Sequence, residues 1–374
     1  MRGGRTPLPH WVDIGLIPLA NVVLAFLVAG FIVLAIGENP LVAVRVLIAG
    51  ALGDSEGIGY TLYYATNFIF TGLAVAVAFH AGLFNIGGEG QAYIGGLGIG
   101  LVLLAGDRYL PFSVLLPLTL LAGAGFGAGW ALVPAYLQAY RGSHIVITTI
   151  MFNFLAAALM VYLMVNVLIA PGSMSPQSRE FGPAAHLPFI HDVLAPIGIN
   201  LTATPLNLSV VLAIVLCVFV WLLLWHTPFG FELRTAGHSE AAAIYAGVRP
   251  RRIIIISICL SGAIAGFVGL NEIMGVQHRL LLNFAAGYGF TGIAVALMGR
   301  NHPLGIVVAS ILFGILSQGG TELAFSIPTI TRDMIVVIQG LVILFSGALP
   351  QLSRPWFEWL FGMLQRQVPA MRGV

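Results

Sequence analysis

Long apolar runs separated by short polar segments make up most of this 374-residue chain. The runs lie near residues 14–37, 59–79, 90–105, 111–139, 144–168, 206–226, 253–275, 285–299, 303–318 and 333–350. Most of them are close to the roughly 20 residues that an α-helix needs to cross a bilayer. The pattern predicts an all-α, polytopic membrane protein with about ten transmembrane or partly re-entrant helices, in a single domain over residues 1–374.

Composition agrees with a membrane protein. Hydrophobic residues make up 59% of the chain and charged residues 8%, against roughly 45–50% and 25% in soluble domains. The net charge of +2 gives no reason to expect a nucleic-acid partner, whereas membrane lipid is an expected one. The first run exceeds the roughly 7–15 apolar residues of a signal peptide, and no small-residue cleavage site closes it, so we expect an uncleaved first helix.

The positions of the arginines orient the predicted helices. Eleven of the 16 basic residues fall on the side of the amino terminus, at positions 2, 5, 141, 234, 249, 251, 252, 300, 354, 366 and 372. The positive-inside rule therefore predicts that both termini and the segment 227–252 are cytoplasmic. Two long segments on the opposite side, 38–57 and 171–204, are either a platform for a binding partner or plain external loops.

The polar segment 227–252 contains a short predicted helix. Ser239 is a favourable N-cap, Glu240 complements the helix amino terminus, and Gly247 is a natural C-terminal stop. About two helical turns are too short to be stable alone in water, so this helix needs a surface to pack against. Its small side chains suit the close approach of another protein; the alternative is that it packs on the membrane domain of its own chain.

Residues 84–91, FNIGGEGQ, are predicted to break a helix between two apolar runs. A break frees backbone groups that need partners or water, and the polar residues Asn85, Glu89 and Gln91 surround it. An acid is costly in a membrane. Glu89 is therefore expected to face a polar environment, to complement the amino terminus of the run that begins near Gly90, or to do both.

Amide side chains also occur inside the apolar runs, among them Asn67, Asn153 and Gln318. Such amides either join helices, at about 0.6–2 kcal/mol each, or line a polar path. Asn271 and Glu272 are predicted to lie near the outer end of a helix, where solvent reaches them. The sequence shows no catalytic nucleophile motif, no paired carboxylates and no metal-ligand spacing.

An internal repeat accompanies these motifs. Residues 71–78, TGLAVAVA, match residues 291–298, TGIAVALM, at five of eight positions. The match predicts two related halves, a common plan among transporters. Glycines at positions 123, 125, 127 and 129 are expected to let helices pack closely.

All 16 basic residues are arginine, and the chain contains no lysine. A Walker A loop needs its lysine to reach the phosphates of ATP, so this chain holds no standard ATPase site. No cofactor is expected in the chain, and its energy must come from elsewhere.

Five segments together resemble the permease subunits of bacterial ABC importers. They are GLAVAVAFHAGLFNIGGEGQ at 72–91, ITTIMFNF at 147–154, TPFGFELRTAGHSEAAAIYAGV at 227–248, TGIAVALMGRNHPLG at 291–305 and VIQGLVILF at 337–345. The resemblance is to the branch with ribose, nucleoside and branched-chain amino acid permeases, and most of all to simple-sugar and nucleoside permeases.

This resemblance implies that 227–252 is a coupling loop whose short helix sits in a cleft of a separate ATPase, which binds ATP and Mg²⁺. The coupling residues expected on this basis are Gly237, Ser239, Glu240, Ala241, Ala242, Ala246 and Gly247. Residues 240–242 match the start of the EAA motif of importers, but the glycine follows the glutamate by seven residues where the family usually has six. The residues expected along a substrate path are Asn85, Glu89, Gln91, Asn153 and Gln318.

The implied partners are an ABC ATPase, a second identical or homologous permease chain, and an extracytoplasmic substrate-binding protein at the bacterial cytoplasmic (inner) membrane. The implied function is the inward movement of a nucleoside or simple sugar. The alternatives are an ABC permease for branched-chain amino acids, a self-contained secondary transporter driven by an ion gradient, and a structural or receptor membrane protein.

Overall fold

A computed structural model describes residues 12, 16–199, 201–347, 355 and 358 of the chain. These residues are mostly helical and contain no β-strand. The α-helices are α1 Ile17–Ala35, α2 Pro40–Leu52, α3 Ser55–His80, α4 Gly88–Gly106, α5 Phe112–Arg141, α6 Ile145–Asn166, α7 Ile190–Leu194, α8 Ser209–His226, α9 Pro228–His238, α10 Glu240–Tyr245, α11 Pro250–Ala265, α12 Tyr288–Met298, α13 Pro303–Ser326 and α14 Arg332–Gly347. A π-helix, Leu270–Gln277, follows α11.

Six helices in the described ranges are long and apolar enough to cross a membrane. They are α3, α5, α6, α8, α13 and the span Pro250–Gln277, which joins α11 to the π-helix. Helices α1 and α2 together pass the same test but are bent by 119°, and α12 and α14 contain shorter apolar helices. The prediction of an all-α, polytopic membrane protein is confirmed.

The segment 38–57 is not the open external loop that was one of its two expected forms. It contains α2, and α3 begins at Ser55 with Asp54 as its N-cap. The Asp54 carboxylate accepts a hydrogen bond of 2.7 Å from the backbone N–H of Gly57. The helix α2 forms because Pro40 suits the first helical turn and the residues after it are almost all apolar.

Residues 49–318 form one compact unit, with α3 and α4 in its interior. Both helices are rich in small residues, and small side chains let helix backbones approach closely in a membrane. A Cβ atom added at Gly95 of α4 would lie 2.3 Å from the Cα of Gly266. The helices α5, α6 and α8 present large apolar side chains outward, such as Leu121 and Phe154, as bilayer-facing helices do.

The two copies of the repeat lie side by side in this unit. A Cβ atom at Gly292 of α12 would lie 2.4 Å from Thr71 Cβ of α3, and one at Gly72 would lie 3.0 Å from Val295 Cγ1.

The glycines of α5 have two kinds of surroundings. Those at 123 and 127 face Ile99 and Gly262, whereas those at 125 and 129 meet nothing within 4 Å. The expectation of close packing was therefore wrong for 125 and 129, because residues two apart on a helix point in different directions.

Segments that the sequence predicts on the same face of the membrane contact one another in the structure. At one end of the unit, the His80 ring is 5.2 Å from the Trp225 ring, which is 5.1 Å from the His302 ring. At the other end, the segment 171–199 contacts the residues that follow the π-helix, through an isolated β-bridge between Gln177 and Leu281. The ends of α3 and α8 and the start of α13 thus lie together at one end of the unit.

The second unit consists of the described residues up to Ile48 and from Gly319 onward. Within it, α1 packs against α14. Gly319 lies against the backbone of Leu47, where an added Cβ would be 2.2 Å from the carbonyl oxygen. The Thr329 hydroxyl donates a hydrogen bond of 2.6 Å to the Glu38 carboxylate.

Candidate functional site

A cluster of buried amides satisfies the backbone at the helix break between α3 and α4. The Asn85 amide donates hydrogen bonds of 2.9 Å to Gln91 Oε1 and to Ser261 Oγ. Its Oδ1 atom accepts a hydrogen bond of 2.9 Å from the backbone N–H of Gly87. The Ser261 hydroxyl in turn donates to the Ala74 carbonyl of α3 at 2.6 Å. The break is thereby attached to both α3 and α11.

Asn153 of α6 reaches the same break from another side. Its Oδ1 atom accepts from the backbone N–H of Gly90, and its Nδ2 atom donates to the carbonyl of Ile86, both at 2.9 Å. The structure thus brings Asn85, Gln91 and Asn153 together, all three buried. Their hydrogen bonds in this conformation go to the protein itself.

Glu89 joins the start of α4 to the start of α12. It lies in the first turn of α4, as the sequence suggested. Its two carboxylate oxygens accept hydrogen bonds from the backbone N–H groups of Gly287 (2.9 Å) and Gly289 (2.8 Å). The carboxylate therefore caps the amino terminus of a second helix, a contact that sequence spacing does not show.

Gln318 stands apart from this cluster. It is half-buried on α13. None of the hydrogen bonds that the structure shows around the break involves it, within the described residues. The contacts therefore group four of the five candidate path residues, and Gln318 is not one of them.

A second buried polar cluster surrounds Glu272 of the π-helix. Its carboxylate accepts hydrogen bonds from the Tyr63 hydroxyl (2.5 Å) and from the Asn67 amide (2.6 Å), and Tyr288 also bonds to it. Asn67 lies halfway along the 26-residue helix α3, so the Glu272 carboxylate lies beside the middle of a membrane-crossing helix. The predicted solvent contact is wrong, because Glu272 is 3% exposed.

Asn271 is also buried, at 1% exposed, and not solvated as predicted. It donates to the Tyr63 carbonyl at 3.2 Å, and its Oδ1 atom accepts from Asn207 Nδ2 (2.8 Å) and Ser209 Oγ (2.9 Å). The cluster thus joins α3, the π-helix and the start of α8. Sequence reasoning missed this site, although an acid inside a long apolar run was a signal for it.

The segment 227–252 contains two helices, where the sequence predicted one. Helix α9 begins after Thr227, whose hydroxyl accepts a hydrogen bond of 3.0 Å from the backbone N–H of Gly230. Helix α10 is the predicted one, and Ser239 caps it by accepting from the Ala242 N–H at 3.3 Å. The helix α9 was missed because Pro228, at its first position, reads equally well as a loop residue.

The end of α10 has the geometry of a Schellman motif. Gly247 has φ = +80°, and its N–H bonds to the Ile244 carbonyl at 3.0 Å. The N–H of Val248 bonds to the carbonyl of Ala243 at 2.9 Å. The predicted glycine stop is confirmed, since the left-handed conformation there favours glycine.

Helix α10 packs on its own chain by one face only. Ala243 is fully buried, whereas Ala241, Ala242 and Ala246 are exposed. The large side chains of Ile244 and Tyr245, which sequence reasoning did not single out, are 58% and 98% exposed. The helix therefore packs on its own chain by the face of Ala243, and its other face is exposed.

Gly237, near the end of α9, lies against the carboxyl end of α3. A Cβ atom there would be 2.2 Å from the His80 carbonyl oxygen and 2.8 Å from the backbone nitrogen of Gly82. Gly82 opens the helix break that holds Asn85. No side chain separates the two backbones at this contact.

The described residues include no group of three or more histidine, cysteine or acidic side chains that could hold a metal ion.

Residues 57–347 match the family model described as the permease component of the branched-chain amino acid transport system. The chain is 35% identical to the glucose ABC transporter permease protein TsgB13 of Haloferax volcanii, over 91% of this chain and 89% of that protein.

Two permeases of Bacillus subtilis are also similar. The guanosine ABC transporter permease protein NupP is 33% identical, over 88% of this chain and 92% of its own length. The guanosine ABC transporter permease protein NupQ is 26% identical, over 68% and 78%. No solved structure gave a significant match. The chain therefore belongs to the permease family of branched-chain amino acid transport systems and is a membrane permease subunit of an ABC importer.

Proposed function

We propose that this subunit carries a nucleoside or simple sugar inward across the cytoplasmic membrane. The named relatives that are glucose and guanosine permeases support this substrate class. The observation that carries the mechanism is the contact of Gly237 with His80 and Gly82. It joins an exposed pair of short helices, α9 and α10, to the helix break in the protein interior.

In this proposal a separate ATPase, which binds ATP and Mg²⁺, binds the exposed face of α10. Tyr245 and Ile244 are its contact points, together with Glu240 and the exposed alanines. Closure of the ATPase dimer moves α9 and α10, and α9 displaces the carboxyl end of α3 and the break beside it. The ATPase then shifts the population between outward- and inward-facing states, because it binds them with different affinity.

The proposed assembly includes a second permease chain and an extracytoplasmic binding protein. The chain resembles NupP more than NupQ, two guanosine permeases of one organism, which supports a non-identical second permease. Both termini and the segment 227–252 are proposed to be cytoplasmic. The segment 171–204 is on the opposite face and is the proposed platform for the binding protein.

The buried clusters are proposed to line the path when it opens. Glu272, Tyr63 and Asn67 present carboxylate, hydroxyl and amide groups, which match the hydroxyl groups of a ribose or hexose. Asn67 Oδ1 is buried and has no hydrogen-bond partner among the described residues, so it can accept from a solute hydroxyl. Asn85, Glu89, Gln91 and Asn153 would become accessible if the break rearranged.

Uptake by proteoliposomes tests the coupling role. The complex of permeases, ATPase and binding protein is compared with the double variant Glu240→Ala, Gly247→Ala in one permease. We expect ATP hydrolysis to persist while uptake of labelled nucleoside or sugar falls about tenfold or more, because alanine is strained at φ = +80° and the helix end is displaced. The variant Glu56→Gln, an exposed acid on the opposite face and outside the segment 171–204, is the matched control.

Two outcomes would contradict the proposal. Normal uptake by the double variant would show that α10 does not couple the ATPase. Uptake by the permease chain alone that collapses with an ionophore would instead support an ion-driven secondary transporter.

A further inference from the structure

A groove of about 680 Å³ lies between the end of α5 and the start of α11. We call it the basic groove. Its lining includes Tyr140, Arg249, Arg251, Arg252, Ile255 and Ile256. Its volume is within the range of small-molecule sites. We propose that the basic groove binds the phosphate headgroup of an anionic phospholipid, a ligand that the coupling mechanism does not require.

The charge of the groove matches an anion. Arg249, Arg251 and Arg252 are all exposed, and no acid forms an ion pair with them in the part of the chain that the structure describes. Glu240 is the acid in the lining, so the arginines retain a net charge of about +2 there. The three arginines also surround the amino terminus of α11, whose dipole adds to their attraction for an anion.

One arginine is already positioned for such a ligand. The guanidinium carbon of Arg251 lies 5.3 Å from the centre of the Tyr140 ring, within the range of a cation–π contact. A ring on one face leaves the edge of the guanidinium free, and that edge bonds phosphate oxygens in pairs. Tyr140 therefore holds Arg251 toward the groove without neutralising it.

The apolar part of the groove favours a lipid over a soluble ligand. Ile255 and Ile256 are half-exposed in the second turn of α11, which belongs to the membrane-crossing span Pro250–Gln277. Tyr136 and Tyr140, with ring centres 4.9 Å apart, are half-exposed near the end of α5, as aromatic residues often are at a membrane interface. The arginines are thus at headgroup level and the isoleucines at acyl-chain level.

The groove shares residues with the coupling segment. Glu240 and Ile244 of α10 belong to its lining. Both residues are also proposed ATPase contacts, so a bound lipid would lie next to the ATPase at α10. Lipid binding does not depend on the proposed function, so it is measured directly, and its effect on ATP hydrolysis is a second readout.

The test uses the whole permease–ATPase complex in nanodiscs of phosphatidylcholine with increasing phosphatidylglycerol. Bound phosphatidylglycerol is measured by energy transfer from the protein's tryptophans to a labelled lipid. The triple variant Arg249→Gln, Arg251→Gln, Arg252→Gln is compared with Arg141→Gln, an exposed arginine next to Tyr140 that does not line the groove. We expect roughly fivefold weaker binding for each arginine removed and roughly 100-fold for the triple variant, with less than twofold change for Arg141→Gln.

A second variant serves if the triple variant misfolds. If the triple variant does not assemble, Arg251→Gln alone is expected to weaken binding roughly fivefold while the complex keeps its elution volume. Three results would overturn the proposal: equal lipid binding by wild type and variants, full competition by free inorganic phosphate, or loss of the ATPase from the variant complex in pure phosphatidylcholine. The last would assign the groove to the ATPase interface.

Discussion

The Glu272 carboxylate accepts a hydrogen bond of 2.6 Å from the Asn67 amide, halfway along a helix that crosses the membrane. A buried carboxylate persists there because several donors compensate for its lost hydration. It also joins helices that are far apart in the sequence. Removing it should therefore affect both stability and transport.

We predict that Glu272→Ala lowers the free energy of unfolding by about 2–4 kcal/mol, because the donors of Tyr63 and Asn67 would be buried without an acceptor. Glu272→Gln keeps one acceptor and should cost less than the alanine variant. Thermal unfolding of the purified permease and uptake by the reconstituted complex measure both effects. The exposed Glu56→Ala serves as control, and wild-type stability of Glu272→Ala would disprove the anchoring role.

Two glycines of helix α5, two positions apart in the sequence, have opposite environments. A Cβ atom at Gly127 would lie 2.2 Å from the carbonyl oxygen of Gly262, whereas one at Gly129 would meet nothing within 4 Å. We predict that Gly127→Ala forces α5 and α11 apart and costs about 1–3 kcal/mol, while Gly129→Ala is neutral or slightly stabilising. Melting temperatures of the two variants in one detergent check this, and equal values would refute the packing.

A partly buried ion pair anchors the segment 171–199. Arg179 donates to both carboxylate oxygens of Asp107 at 2.7 and 2.8 Å, and the Gly182 N–H donates to the same carboxylate at 2.8 Å. The Asp107 side chain is 1% exposed and that of Arg179 31%. We expect Asp107→Asn to destabilise the permease by about 2–4 kcal/mol, because the arginine loses its partner in a partly buried site.

The exposed pair of Arg279 and Glu180, at 3.2 Å, provides the matched control, and Glu180→Gln should cost less than about 1 kcal/mol. Hydrogen bonding by Arg179 lowers the pKa of Asp107. The pair therefore contributes its stability above the ordinary carboxylate pKa of about 4, and that contribution is lost as the pH falls through the lowered value. The difference between wild type and Asp107→Asn should shrink in acid; a constant difference would contradict this.

The rings of His186 and His278 stack with their centres 3.6 Å apart. Burial, and then the neighbouring His186, lower the pKa of His278. The neutral form is thus favoured in the folded protein, so stability is complete above the ordinary histidine pKa of about 6.5 and is lost as the pH falls through the lowered value. Glu180, which faces His278, opposes the shift, and Arg279 adds to it.

We predict that His278→Asn reduces the loss of melting temperature between neutral and mildly acidic pH. Asparagine tolerates the positive φ of +50° at this position better than most residues do. Melting curves at several pH values measure the slope, with His144→Asn as a control on the opposite face. An unchanged slope in His278→Asn would assign the pH dependence to other groups.

Much of the polar interior was predictable, but its connections were not. The sequence pointed to Asn85, Glu89, Gln91 and Asn153 because polar residues near a Gly-rich break must serve its free backbone groups. It could not show that Glu89 caps α12, since Gly287 and Gly289 are about 200 positions away. It misplaced Glu272, because the distance of a residue from the end of an apolar run does not show where a helix packs.

The sequence by itself determined that this chain is an all-α membrane protein, since apolar run length is a property of composition and order, and the absence of lysine predicts that it holds no standard ATPase site. It also determined the capped helix at Glu240, because caps and stops act within a few residues. Only the tertiary structure decided that Gly237 touches the break and that Asn67 meets Glu272. Those contacts join distant segments, and they depend on which helix faces pack together rather than on any local preference.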